Sequence, residues 1–104
     1  MRRGEIRWYT FAAPDKRRPV LLLTRSAVID TLNEIIVAPA TRTVRGLATE
    51  VLLSPLDGMP DACALNFDHI ALVQRSRLAV IAELPAERWP EVEQALMIAC
   101  GFRE

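Results

Sequence analysis

At 104 residues, 51% hydrophobic and 25% charged with a formal net charge of zero, the chain is expected to form one domain spanning residues 1–104, able to bury roughly 65% of its unfolded surface without disulfides or metal. Its apolar runs fall far short of the ~20 residues a bilayer span needs, and Glu5 and Arg7 interrupt MRRGEIRWYTF before a signal-like apolar stretch can form. These features argue against a membrane or secreted protein, and the expected compartment is the cytoplasm.

Cys63 and Cys100 form no CxxC pair and have a single histidine to join them, so no metal and no cofactor is expected. Zero net charge argues against indiscriminate nucleic-acid binding. The charge is nevertheless divided: residues 1–45 hold nine cations against four anions, a net of +5, and the rest of the chain carries −5. Such a division permits one basic face on a neutral molecule.

Residues 5–11, EIRWYTF, are rich in β-formers and alternate Ile6 and Trp8 against Arg7 and Tyr9, which predicts a strand with both faces partly covered. AAPDK at 12–16 is a turn. PVLLLT at 19–24 predicts a buried strand with proline at its first position, where a missing N–H is tolerated. Arg18, just before that proline, is pushed to an extended conformation and projects from the strand mouth. The adjacent cations Lys16, Arg17 and Arg18 read either as gatekeepers against strand aggregation or as a rigidly mounted anion site.

SAVIDTL at 26–32 predicts a loop with one helical turn. NEIIVAPA at 33–40 is a strand followed by a polar loop that begins with Thr41 and Arg42. Strands are expected at 48–53, 63–74 (with a bend near Asn66) and 78–83, with a turn-rich loop at 54–61. From 84 to 102 the period changes: Val92, Leu96 and Ala99 share a helical face that Gly101 closes. Pro90 requires either a separate turn before it or a helix that starts there. Short strands with frequent turns and one terminal helix describe a small barrel or strongly curved sheet.

The order RRGEIRWYTF, RRPVLLLT, EIIVAPAT, a strand pair ending in QRSRL, and a C-terminal helix resembles the MazF/PemK family of bacterial toxin endoribonucleases. The resemblance runs from Arg3 to about Phe102, and RGEI, RPVLLL and VAPAT are its most specific pieces. It implies a mainly β fold with a C-terminal helix, an SH3-like small barrel of the CcdB/MazF toxin type. It also implies a homodimer, metal-independent and sequence-selective cleavage of single-stranded RNA, and a cognate antitoxin. Carried over residue by residue, the arginine before the family proline is Arg18 and the threonine ending the third strand is Thr41, the expected catalytic pair. His69 stands where the family has a glutamine along the RNA groove, and Arg17 and Arg42 are the further expected RNA contacts.

Departures from the family pattern concern specificity. AAPDK replaces a longer first loop bearing Gly-Ser-Glu-Gln, leaving Asp15 as a poor substitute for its acid. His69 is followed by Ile70-Ala71 where the family often has Ile-Arg.

In metal-free cleavage the neighbouring 2′-OH attacks phosphorus, and a guanidinium suits the charge that develops on the phosphoryl oxygens. The Thr41 hydroxyl either donates to a nonbridging oxygen or bonds its own loop backbone. Histidine is the side chain whose reference pKa lies near neutrality, and His69 reads as a base, a substrate contact or a strand packing residue. Trp8, Tyr9 and Phe67 are core residues or platforms for unpaired bases. The alternatives in function are a CcdB-like toxin that inhibits gyrase through protein contacts, and an inactive antitoxin-binding homologue.

Overall fold

The run VLLL at 20–23 carries apolar side chains to both sides of one strand, and each side meets a separate core. The computed structural model, which describes residues 1–12 and 16–103, begins with β1 (Glu5–Thr10), β2 (Arg17–Leu22) and β3 (Glu34–Thr41). Then follow β4 (Glu50–Leu53), β5 (Cys63–Asn66), β6 (Ala71–Gln74), β7 (Ala79–Glu83) and helix α1 (Trp89–Ala99). The seven strands form one curled antiparallel sheet in the order β4-β5-β3-β2-β1-β7, with β6 also paired to β3. Asp15 and most of the AAPDK turn lie outside the described residues.

Leu21 and Leu23 join Ile6, Ala38, Leu65 and Phe67 in a cluster roofed by Val92 and Ala95 of α1. Val20 and Leu22 join Ile35, Val37 and Val73 in a second cluster, closed by Ile29 from the loop after β2. Each such aliphatic side chain contributes about 1.5–3 kcal/mol on burial, so β2 is held from both sides. The expected turn at 26–32 is present: the Thr31 and Leu32 N–H groups donate to the Val28 carbonyl at 2.9 and 3.0 Å.

One expected element is corrected. The strand placed over 63–74 is two strands, β5 and β6, separated by a 3-10 turn at Phe67–His69. The Asn66 side chain accepts the Asp68 N–H at 3.0 Å and the Thr49 hydroxyl donates to the Asp68 carboxylate at 2.7 Å. Phe67, 1% exposed, pins the turn into the first core. β5 therefore pairs with the end of β3 and β6 with its beginning. His69 consequently sits on an exposed turn and not in a strand.

At the C-terminus, Pro85 precedes a 3-10 turn (Ala86–Arg88), and Pro90 lies in the first turn of α1, where no N–H is required. Arg88 was not singled out by its sequence context, yet its guanidinium ties three elements together. It donates to Asp57 and Glu91, both at 2.8 Å, and to the Leu52 carbonyl.

The RGEI opening also has a packing reason. Gly4 has φ +95°, and a Cβ there would stand 3.0 Å from Trp89 Cζ2, while Arg3 lies over the same ring at 4.1 Å. Gly4 joins two strands as well, its N–H donating to Leu22 and its carbonyl accepting from Leu84. Gly4→Ala is expected to cost about 2–4 kcal/mol in urea denaturation, combining left-handed strain with overpacking. Gly46→Ala, at φ +71° with nothing within 4 Å of its Cβ, should show the strain alone, about 1–2 kcal/mol.

Candidate functional site

β2 and β3 pair as Val20↔Pro39, Leu21↔Ala38 and Leu22↔Val37. Continued by two residues, that register sets Arg18 opposite Thr41, on the sheet face shared with Val20. Two adjoining clefts of about 540 and 510 Å³ meet there and share Arg18, Ala40, Thr41 and Thr43. One arm runs on to Trp8, Lys16, Arg17, Arg42 and Asp61. The other runs to Phe11, Arg45, Asn66 and His69. All five site residues expected from the sequence thus line these two clefts, Arg17 and Arg42 the first, His69 the second, and Arg18 and Thr41 both. Strand alternation sets Arg18 on the sheet face of Val20 and Arg17, beside Trp8, on the other.

Thr41 follows the local reading in part: its Oγ accepts the Thr43 N–H at 3.1 Å. That bond fixes the hydroxyl, and a hydroxyl that accepts still has its proton to donate. Arg18 is half-buried, on the strand position paired with Tyr9 of β1. Arg17 stacks on Trp8, its guanidinium carbon 4.3 Å from the ring centroid, so Trp8 is a support for a cation. Phe67 belongs to the core. Tyr9 and Phe11 pack edge to face at 4.8 Å against the second cluster.

Three participants were missed from the sequence: Asp61, Arg45 and Asn66. Thr41 pairs with Ala64 at the start of β5, so the residues preceding β5 must lie beside those following Thr41. The result is an Arg42–Asp61 ion pair at 2.9 Å, with both side chains mostly exposed. The opposite charges at 42 and 61 were a usable signal once that pairing was known. Glu50 accepts the Arg45 and Leu47 N–H groups, each at 3.1 Å, which shapes the loop carrying Arg45 into the second arm. Arg45 is thereby presented by backbone contacts that no local motif announces.

Cys63 lines the first arm but is buried. Burial, with the charges of Asp61 and Asp57 added, pushes its thiol above the usual range, which disfavours the nucleophilic thiolate. Among the described residues, no three His, Cys, Asp or Glu side chains come together as a metal-binding group. What the two clefts share is an arginine and a threonine at opposed strand positions, flanked by further cations, chemistry that suits a phosphodiester.

A family model described as PemK-like, MazF-like toxin of type II toxin-antitoxin system matches residues 2–100. The chain belongs to the PemK/MazF toxin family. The probable endoribonuclease MazF2 of Mycobacterium tuberculosis is 39% identical over 103 residues, covering 97% of this chain and 99% of that protein. The probable endoribonuclease MazF5 of the same organism is 46% identical over 72 residues, 68% of this chain and 65% of its own. Among solved structures, the M. tuberculosis toxin MazF-mt6 superposes with a TM-score of 0.86 at 35% identity, covering 93% of this chain and 96% of that one. A MazE–MazF structure from Deinococcus radiodurans gives a TM-score of 0.80 at 28% identity, covering 97% and 96%. The MazF-type fold expected from the sequence is therefore the observed one.

The thiol environments of this PemK/MazF chain can be checked directly. Cys100 is exposed and Cys63 buried, so a disulfide reagent at pH 8 should label Cys100 rapidly and Cys63 only once denaturant is added. Equal labelling rates in the native protein would contradict the burial and the raised Cys63 pKa.

Proposed function

We propose that the chain is a toxin acting as a metal-independent endoribonuclease, cleaving single-stranded RNA at the ledge between Arg18 and Thr41. The observation that carries this reading is the register of β2 on β3, which, continued by two residues, sets Arg18 across from Thr41 where two clefts lined by cations meet. The 2′-hydroxyl attacks the adjacent phosphorus and the P–O5′ bond breaks, yielding a 2′,3′-cyclic phosphate and a 5′-hydroxyl. Arg18 neutralises charge on the nonbridging oxygens as it develops, and Thr41 donates to one of them. Arg17, Arg42 and His69 contact the flanking nucleotides from the two arms of the groove.

Names given to the relatives support this reading: MazF2, MazF5 and MazF3 are endoribonucleases or probable ones, and the D. radiodurans structure pairs MazF with MazE. A cognate antitoxin would place an acidic or amphipathic segment across the basic groove, with affinity that falls as salt rises. The toxin would act in the cytoplasm; no described helix is long and apolar enough to cross a membrane. It would do so as a homodimer, for which Ile36 and its cross-strand neighbour Leu72, both exposed, offer apolar surface.

Incubation with a long single-stranded RNA in excess EDTA should give cleavage with 2′,3′-cyclic phosphate and 5′-hydroxyl ends. Dependence on Mg²⁺, or 5′-phosphate ends, would reject this mechanism. No cleavage at all would favour the gyrase-inhibitor or inactive readings.

Arg18→Ala should slow cleavage by roughly 10²–10³, the scale of one lost preorganised donor, with a much smaller change in RNA affinity. Arg18→Lys should restore little, because an ammonium lacks the planar fork. Arg17→Ala should act chiefly on binding and its salt dependence. Equal rate losses at both positions would make the cluster a diffuse basic patch.

A further inference from the structure

The arm of the groove beyond Arg17 presents a donor and an acceptor side by side, Arg42 Nη2 standing 2.9 Å from Asp61 Oδ2. Asp61 is the only carboxylate among the described residues lining this arm, where Lys16, Arg17, Arg18 and Arg42 also face the space. Stability does not account for it. The side chains of Arg42 and Asp61 are 81% and 60% exposed, and exposed ion pairs contribute little. Phosphate binding does not account for it either, because a carboxylate repels a polyanion. An acceptor in such a place is explained if it meets the donors of a nucleobase.

The bases differ sharply in what they offer it. Guanine alone carries two parallel N–H donors on its Watson–Crick edge, N1–H and the N2 amine, with the O6 acceptor next to them. A carboxylate takes the two donors together, and a guanidinium beside it takes O6. Adenine and cytosine bring one exocyclic amine each, and uracil sets its single N3–H between two oxygens that a carboxylate repels. Arg17, stacked on Trp8 at 4.3 Å, has an outer face on which a base can lie as the next layer. Resting on the reading of the groove as a single-stranded RNA site, we propose that this arm is a guanine subsite. Asp61 and Arg42 read the base edge, and Arg17 stacks on the ring.

The test measures binding of short oligouridines carrying one central guanosine, inosine, adenosine, cytidine or no replacement. Their 2′-hydroxyls are replaced by fluorine so that they cannot be cut. Inosine keeps O6 and N1–H and lacks only the N2 amine. Guanosine should bind several-fold more tightly than inosine, and about tenfold or more over uridine alone. Asp61→Asn should bring the guanosine-to-inosine ratio close to one without a general loss of affinity, since a negative charge is removed. Arg42→Gln should keep that ratio while weakening every oligonucleotide. Equal binding of the set, tighter binding of adenosine or cytidine, or a guanosine-to-inosine ratio that survives Asp61→Asn would each overturn the proposal. The guanosine ranking without cleavage of unmodified RNA would end the nuclease reading and leave the subsite standing. Cleavage without the ranking would do the reverse.

Discussion

The Val20–Leu22 half of β2 has no solvent face, and its pairing with β3 is therefore fixed by two cores at once. A slip of one residue would exchange Leu21 and Leu23 with Val20 and Leu22, moving four apolar side chains into cavities shaped for others. Arg18 and Thr41 come together because they are the next non-adjacent positions along that ladder. The register that buries Val20 against Pro39, continued by two residues, is the register that sets Arg18 across from Thr41. Site geometry is in this sense a by-product of core packing, and it costs no separate ordering of a flexible loop.

The other half of the groove depends on how β3 divides its second edge. Glu34 to Val37 pair with β6, and Ala40 and Thr41 with β5. The Leu23 N–H donates to the Ile36 carbonyl at 2.9 Å, so even-numbered β3 residues direct their backbone groups at β2 and odd-numbered ones at the divided edge. Pro39 is odd, and its missing N–H faces the interval where β6 pairing has ended and β5 pairing has not begun. A proline in a central strand, which would ordinarily cost a ladder bond, is tolerated there. The chain uses the same interval for the Phe67–His69 turn, and this brings His69 to the groove.

These two features differ in how far the sequence reveals them. The doubly buried strand is visible in an unbroken VLLL run bounded by Pro19 and a hydroxyl, and Arg18 follows from its place before the proline. The helix is visible in the spacing of Val92, Leu96 and Ala99. The break after Asn66 is weaker in pattern, because CALNFDHIALVQ keeps a strand-like composition throughout. What interrupts it is a set of polar contacts, Asn66 to Asp68 and Thr49 to Asp68, one of them non-local. Asp61 and Arg45 were hidden for the same reason. Their positions follow from strand pairing and from Glu50 accepting two loop N–H groups, neither of which leaves a local signature.

The charge division along the chain also resolves into two populations. Arg3 lies over Trp89 and bonds the Leu23 carbonyl, and Arg7 is tied to Glu5 and to the Leu78 carbonyl. Arg2 pairs with Glu83 at the surface. Arg3 and Arg7 complete the fold and Arg2 is offset by Glu83, so the +5 of the first 45 residues overstates what a polyanion would meet. Lys16, Arg17, Arg18 and Arg42 line one arm and Arg45 the other, and Asp61 offsets one of them. A modest local field of this kind is the strength that the proposed single-stranded substrate calls for, enough to attract a strand without holding every nucleic acid that passes. If the proposed nuclease and guanine-subsite readings hold, base-edge contacts and Arg18 carry more of the discrimination than bulk charge does.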